Sequence, residues 1–422
     1  MAPSLPPHTD LVIVLPHLGP GGAQKVALMA AEHFLSKGLH VVLVTLLPDK
    51  PLAHALPQGL VWIDLGPHLA LTWSNRALSA RARRFLVAWS RRLLAWFALS
   101  AGWPFVKRLQ PGQGVALVQW LVASVSGAQA TLLKDLLCTG RPVRVLSLLT
   151  RTNLLCCQAL WQSPGHLVVS ERNDPRLQRQ PFPWPRLQGW LWQRADVITA
   201  NTVGVLEGLQ RCYPHHAASM RLLPNPLHLS ESTPRSGGDG LEETTPCFLA
   251  VCRLVPQKGI DLLVRAYALL PESIRLAWPL LIAGDGPERQ ALETLADSLL
   301  PSGQVRFLGF QSQPQRLYGQ NSVFVLSSRF EGMPNALLEA MGAGLAVIVS
   351  DASPGPLEVV SHGQSGWVVP TEQVSALAAA MRQLAEDQSL RSRLGTAAAE
   401  LMQAHSWDAL DGTWRQALQL DR

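Results

Sequence analysis

No run of 18 apolar residues occurs in this 422-residue sequence, so no transmembrane helix is expected. The first ten residues, MAPSLPPHTD, lack the basic start and apolar stretch of a secretory signal. Six cysteines, at 138, 156, 157, 212, 247 and 252, form no Cys-x-x-Cys pair and show no metal-ligand spacing. No Asp-x-Asp triplet is present either. Together these absences argue against a disulfide scaffold and a metal site, and point to a reduced, cytoplasmic protein. A peripheral place at the inner face of the plasma membrane stays compatible with them. Charged residues are also scarce, 16% against 47% apolar, which excludes a disordered chain and fits a well-packed one.

What charge there is falls unevenly. Residues 1–230 hold 22 Lys+Arg against 9 Asp+Glu, a net +13, whereas residues 231–422 hold 14 against 21, a net −7. The basic half is expected to meet something anionic, and the acidic half needs local cations to hold phosphate. At this length two domains are expected. The polar, Gly- and Pro-containing stretch 229–246 reads as the linker, between an amino-terminal domain 1–228 and a carboxyl-terminal domain 247–405. The terminal segment 406–422 is expected to be helical, with the first domain as its packing surface.

Apolar runs alternate with helical stretches through both halves. Strands are expected at 11–18, 40–47, 61–65, 115–121, 144–149, 166–170 and 196–200, then at 248–252, 280–283, 305–308, 323–326, 345–349 and 366–369. Such alternation predicts an α/β protein of two doubly wound, Rossmann-like domains, with ligands outside the carboxyl ends of the strands and in the cleft between domains.

The stretch Phe330–Asp351, FEGMPNALLEAMGAGLAVIVSD, carries the most chemistry. Pro334 suits a helix start, Gly332 allows close backbone approach, and the N–H groups of Asn335 to Leu337 would present a positive helix end to phosphate. Glu331 and Glu339 offer carboxylates to ligand hydroxyls. Arg253 and Lys258, five apart just after a strand, make a candidate diphosphate clamp or merely two solvated charges. Gly284-Asp285-Gly286-Pro287 reads equally as a tight turn or a ligand contact, and Phe310 at another strand end is a candidate face for a base.

As a set, Arg253, Lys258, the Gly-Asp-Gly-Pro turn and Glu331-x7-Glu339 resemble the retaining glycosyltransferases of the GT-B fold, glycosyltransferase family 4, related to glycogen and sucrose synthases. The resemblance covers most of 248–370 and is looser in the first half, at Gly21-Gly22-Ala23 and Pro224-Asn225-Pro226. It implies that Arg253 and Lys258 neutralise the donor diphosphate and that Glu331 contacts the donor sugar. Gly332, Met333, Pro334, Asn335, Leu338, Gly284 and Phe310 would complete the donor site, with Glu339 on the ribose and Gly22 facing the leaving phosphate. It implies no metal and no cofactor beyond the nucleotide-sugar co-substrate, with a UDP-sugar favoured and a GDP-sugar open. Many relatives carry a histidine where this chain reads Ser170-Glu171-Arg172-Asn173, a pattern similar to a polysaccharide-assembly subgroup. Glu171 and Arg172 are therefore candidates on the acceptor or donor-sugar side, or simply turn residues. An epimerase on the same scaffold and a non-catalytic sugar-nucleotide-binding subunit are the competing readings.

Residues 73–109 interleave Arg81, Arg83, Arg84, Arg91 and Arg92 with Phe85, Trp89, Leu93, Trp96 and Phe97 at helical spacing. This pattern predicts either an interfacial helix on anionic lipid or a helix packed on the first domain with solvated arginines. No nucleic-acid-binding module is recognisable. The acceptor expected from these features is a saccharide, free or linked to a polyprenyl diphosphate.

Overall fold

The computed structural model describes residues 3–47, 52–68, 78–101, 117, 120–122, 124, 128–138, 141–177, 180, 182, 184–227, 245–319 and 322–420. The stretch expected as the linker thus lies almost wholly outside the described residues. The chain divides into two units: Met1–Asn201 with Val205–Leu223 and Gly412–Arg422, and Thr202–Gly204 with Pro224–Asp411.

The first unit is built on seven parallel strands, β1 (Leu11–Leu15), β2 (Val41–Thr45), β3 (Val61–Asp64), β4 (Arg144–Leu148), β5 (His166–Glu171), β6 (Val197–Ala200) and β7 (Met220–Leu222), in the order β3-β2-β1-β4-β5-β6-β7. The central β1, LVIVL, is fully buried, as a parallel strand covered on both faces must be. The Gly22–Ser36 helix ends at Gly38, whose φ of +81° suits the left-handed turn that closes it. One expected strand is not found among the described residues. Of residues 115–121, the described Leu117, Trp120 and Leu121 are helical, and Leu121 is fully buried. A short buried apolar run serves either geometry, so sequence periodicity alone does not separate them.

Helix Trp407–Leu418 carries the chain back into this unit. Trp414 is fully buried, Arg415 lies over the Phe34 ring at 5.9 Å, and His166 Nε2 meets the Ala417 carbonyl at 2.8 Å.

The second unit has six parallel strands, β8 (Phe248–Val251), β9 (Leu280–Ala283), β10 (Val305–Gly309), β11 (Val323–Leu326), β12 (Ala346–Ser350) and β13 (Trp367–Val369), in the order β10-β9-β8-β11-β12-β13. Helices cover both faces. Leu263, Tyr267, Met381 and Leu394 pack on one, and Leu337, Met341 and Met402 on the other. Both units therefore have the Rossmann-like α/β topology of the GT-B class.

Candidate active site

In a doubly wound sheet the crevice for a ligand opens where the strand order reverses. In the second unit that point lies between β8 and β11, and the loops leaving these two strands hold Arg253, Lys258 and Glu331. After β8 the chain makes a tight helical turn, Pro256–Lys258, ended by Gly259 at φ +61°. A Cβ on Gly259 would lie 2.1 Å from the Ser327 carbonyl, so only glycine lets the two loops touch. Ser327 Oγ then reaches the Lys258 and Gly259 carbonyls at 3.1 and 2.9 Å.

This contact brings together two residues 73 positions apart. Lys258 Nζ donates to Glu331 Oε1 at 2.5 Å, and Ser328 Oγ donates to the same oxygen at 2.6 Å. The Glu331 N–H donates to Ser353 Oγ at 2.8 Å, and Glu331 is only 8% exposed. One carboxylate oxygen is thus saturated from within the unit, while Oε2 accepts no hydrogen bond among the described residues. Arg253 is exposed beside them, and its guanidinium makes no hydrogen bond or ion pair among the described residues.

Arg329 holds this arrangement from behind. Its guanidinium makes a bidentate pair with Asp261 at 2.9 and 2.8 Å, and also reaches Glu372 at 2.9 Å and the Pro256 carbonyl at 2.6 Å. Its own N–H donates to the Gln257 carbonyl at 2.7 Å, and Gln257 Nε2 donates to the Phe330 carbonyl at 2.9 Å. The Asp261 carboxyl is held below its usual range chiefly by that guanidinium. The turn bearing Lys258 and the loop bearing Glu331 are therefore fastened as one piece.

Helix Asn335–Gly342 starts beside this pair, after Pro334. Its exposed anion-binding end is shorter than the sequence suggests, because the Leu337 N–H already donates to the Pro334 carbonyl at 3.1 Å. Asn225 Nδ2 donates to Asn335 Oδ1 at 2.6 Å and to the Met333 carbonyl at 3.3 Å, which ties the Pro224-Asn225-Pro226 segment to the helix start. Gly332 makes its close approach to the chain itself: a Cβ on Gly355 would sit 1.7 Å from the Gly332 carbonyl. Glu339, half-buried within the apolar helix, receives a hydrogen bond from Tyr318 OH at 3.1 Å. Burial, and then the Glu339 charge, push the Tyr318 phenol well above its usual range, so it stays a neutral donor.

The other expected donor residues divide. Gly284, at φ +145°, lets the Gly284–Pro287 turn pack on the β8 loop, since a Cβ there would lie 1.7 Å from the Cys252 carbonyl. That is the packing reading of this turn. Phe310 is 41% exposed at the end of β10 and is presented to solvent, whereas Met333 and Leu338 are buried in the hydrophobic core.

In the first unit, Gly22 opens its helix beyond β1, next to the reversal between β1 and β4. Glu171 lies at the end of β5 and is buried, its oxygens accepting from Thr150 Oγ1 at 2.6 Å, Asn153 Nδ2 at 2.9 Å and Gln188 Nε2 at 3.4 Å. Burial raises the Glu171 carboxyl from its usual 4.5 to about 7, against the opposing effect of the Thr150 and Asn153 hydrogen bonds. Arg172 is buried too, which lowers its guanidinium to about 10. Asp174 anchors the following turn on Arg176 and fits against Gly208, where a Cβ would lie 2.5 Å from its carboxylate.

A carboxyl that is harder to ionise in the folded state favours folding below pH 4.5, and that advantage is lost as pH rises towards 7. The shift corresponds to about 3 kcal/mol. Glu171→Gln should therefore melt close to wild type near pH 4.5 and well above it at pH 8, as followed by calorimetry across pH. A constant difference across that range would show that Glu171 titrates in the fold as it does in the unfolded chain.

Residues 236–401 match the family model of glycosyl transferases group 1. A lipopolysaccharide core biosynthesis glycosyltransferase, LpsE, of Rhizobium meliloti is 35% identical over 174 residues, 41% of this chain and 49% of that protein. An N-acetylgalactosamine-N,N'-diacetylbacillosaminyl-diphospho-undecaprenol 4-alpha-N-acetylgalactosaminyltransferase of Campylobacter jejuni is 28% identical over 249 residues, 58% of this chain and 67% of that protein. The chain thus spans about half the length of the first relative. In fold, the chain resembles Anabaena HepE, solved in complex with UDP and glucose, with TM-score 0.70 at 16% identity, covering 98% of this chain and 100% of that one.

Several residues that build the candidate site carry no sequence signal of their own. Ser327 and Ser328 follow β11, Ser353 follows β12, and Arg329 and Tyr318 stand alone between elements. The one available cue is position: small polar side chains directly after buried parallel strands fall where the crevice opens. Among the described residues, no group of three or more His, Cys, Asp or Glu is placed to hold a metal ion.

Proposed function

We propose that the chain is a retaining glycosyltransferase that moves a hexosyl or N-acetylhexosaminyl group from a nucleotide-sugar, a UDP-sugar by preference, to a saccharide acceptor in cell-surface polysaccharide or lipopolysaccharide synthesis. The observation that carries this reading is the Lys258–Glu331–Ser328 cluster with Arg253, set at the reversal of the second sheet beside the start of helix Asn335–Gly342. Arg253, Lys258 and the helix end supply positive charge where a diphosphate would leave, and Glu331 Oε2 is an acceptor for a sugar hydroxyl. Glu339 takes the ribose hydroxyls, and Phe310 offers a face to the base.

In this reading the bond between the anomeric carbon and the phosphate oxygen breaks, with its electron pair passing to the diphosphate. The acceptor hydroxyl enters on the same face and its proton goes to the departing phosphate oxygen, so configuration is retained without a strong side-chain base. No metal and no further cofactor are invoked. The names of the Rhizobium and Campylobacter relatives support a saccharide acceptor, in one case on a polyprenyl diphosphate. The six free cysteines fit reaction in the reducing cytoplasm.

The test is a panel of UDP- and GDP-sugars, read by thermal protection and by release of nucleoside diphosphate. Protection and slow hydrolysis by one UDP-sugar are expected. If no nucleotide-sugar protects or is consumed, the proposal fails, and conversion of the donor to its epimer without acceptor would replace it with the epimerase reading.

A further inference from the structure

The stretch from residue 65 to 134 contains no Asp or Glu at all, yet holds nine basic residues: Arg76, Arg81, Arg83, Arg84, Arg91, Arg92, Lys107, Arg108 and Lys134. Within it runs the Leu78–Leu99 helix of the first unit, whose side chains are described from Trp89 onward. Ala95 and Leu99 are fully buried against the core of that unit. At the helical rotation of about 100° per residue, these two define the inward face. The opposite arc carries Trp96, Trp89, Leu93, Phe97 and Leu94 in turn, interrupted by Ser90, and each of the five is at least half exposed, Phe97 at 65%. Exposed Arg92 borders this arc on one edge and Arg91 on the other. Trp96 extends it onto Phe182, an edge-on ring pair at 4.6 Å.

A water-facing helix would show the reverse arrangement, with its apolar side inward. An outward apolar arc bordered by arginines belongs to a helix lying in a lipid headgroup layer, where apolar side chains enter the acyl boundary and guanidinium groups meet phosphates. We infer that the outward face of the Leu78–Leu99 helix seats this chain on an anionic lipid surface, with the helix axis in the plane of that surface. A second copy of the chain fits less well. A two-fold contact through this face would set Arg91 and Arg92 of one copy near those of the other, with no carboxylate in the surrounding 65–134 stretch to neutralise them. The inference stands apart from the transfer chemistry.

The full chain is mixed with phosphatidylcholine vesicles, with and without phosphatidylglycerol, and sedimented. Wild type should pellet only with the anionic vesicles, with a blue shift of tryptophan emission, and should be released by high salt. The double variants Trp96→Ser with Phe97→Ser, and Arg91→Glu with Arg92→Glu, should each weaken binding by about tenfold or more. Both should keep the wild-type melting transition and nucleotide-sugar protection, since all four side chains are exposed. Those two readouts separate a lost surface from a damaged fold and from a mistaken donor. A wild-type chain that stays in solution with both vesicle types overturns the inference. So does a wild-type dimer that the Trp96→Ser/Phe97→Ser variant dissociates without vesicle binding having been seen.

Discussion

Glu331→Gln should lower donor turnover by about a hundredfold to a thousandfold, the range for removing one preorganised electrostatic contact at a reacting centre. The substitution keeps the shape and changes the charge. Lys258 would lose the carboxylate that fixes it, although both groups sit in a pocket where Glu331 is 8% exposed. A hydrogen bond to a charged group contributes roughly 1.5–3 kcal/mol, and here it also orients the cation proposed for the diphosphate. Ser328→Ala, which removes a second donor to the same oxygen but no charge, should cost far less. Turnover of the preferred nucleotide-sugar, with melting as a control for folding, decides the matter. Retention of near wild-type turnover by Glu331→Gln would remove the carboxylate charge from the mechanism.

Gly355→Ala should be among the most damaging single methyl groups in the second unit. The added carbon would meet the Gly332 carbonyl oxygen at 1.7 Å and its carbon at 2.7 Å, and both are backbone atoms that no rotamer change can move. Overpacking of this kind destabilises by roughly 1–3 kcal/mol or more, because strands and loops must shift together. The displaced peptide follows Glu331 directly, so donor protection should fall with stability. Gly363→Ala, at φ +71° with nothing within 4 Å of the added carbon, isolates backbone conformation from crowding and should lose less. Equal melting of the two variants would mean that the Gly332–Gly355 contact relaxes freely.

These two sites also show what the sequence could and could not disclose. Lys258, Arg253 and Glu331 were visible because each follows a strong apolar strand and sits among Gly and Pro, so their places at strand ends could be read locally. Their meeting could not. It depends on β8 and β11 being neighbours, which follows from the crossover pattern and not from either segment. Arg329 was invisible for the same reason, since its partners at 256, 261 and 372 come from two stretches more than 100 residues apart. The run at 115–121 was apolar and short, and helix and strand bury such a run equally well. In the Leu78–Leu99 helix the amphipathic pattern was plain, but a pattern has no inside or outside until Ala95 and Leu99 are seen to face the core. Glu171 read as a turn residue or a ligand contact, and its buried hydrogen bonds required the Thr150 and Asn153 side chains of a different segment.

The Arg329 clamp has a bearing on binding affinity. Every bond it makes is to the chain's own atoms, and guanidinium keeps its charge across the whole accessible pH range. The loop of Glu331 and the turn of Lys258 are thus already ordered before any donor arrives, so recognition need not spend interaction energy on freezing them. A site made this way behaves as a rigid template: donors that fit it bind with little entropic penalty, and donors of the wrong shape are refused and not accommodated.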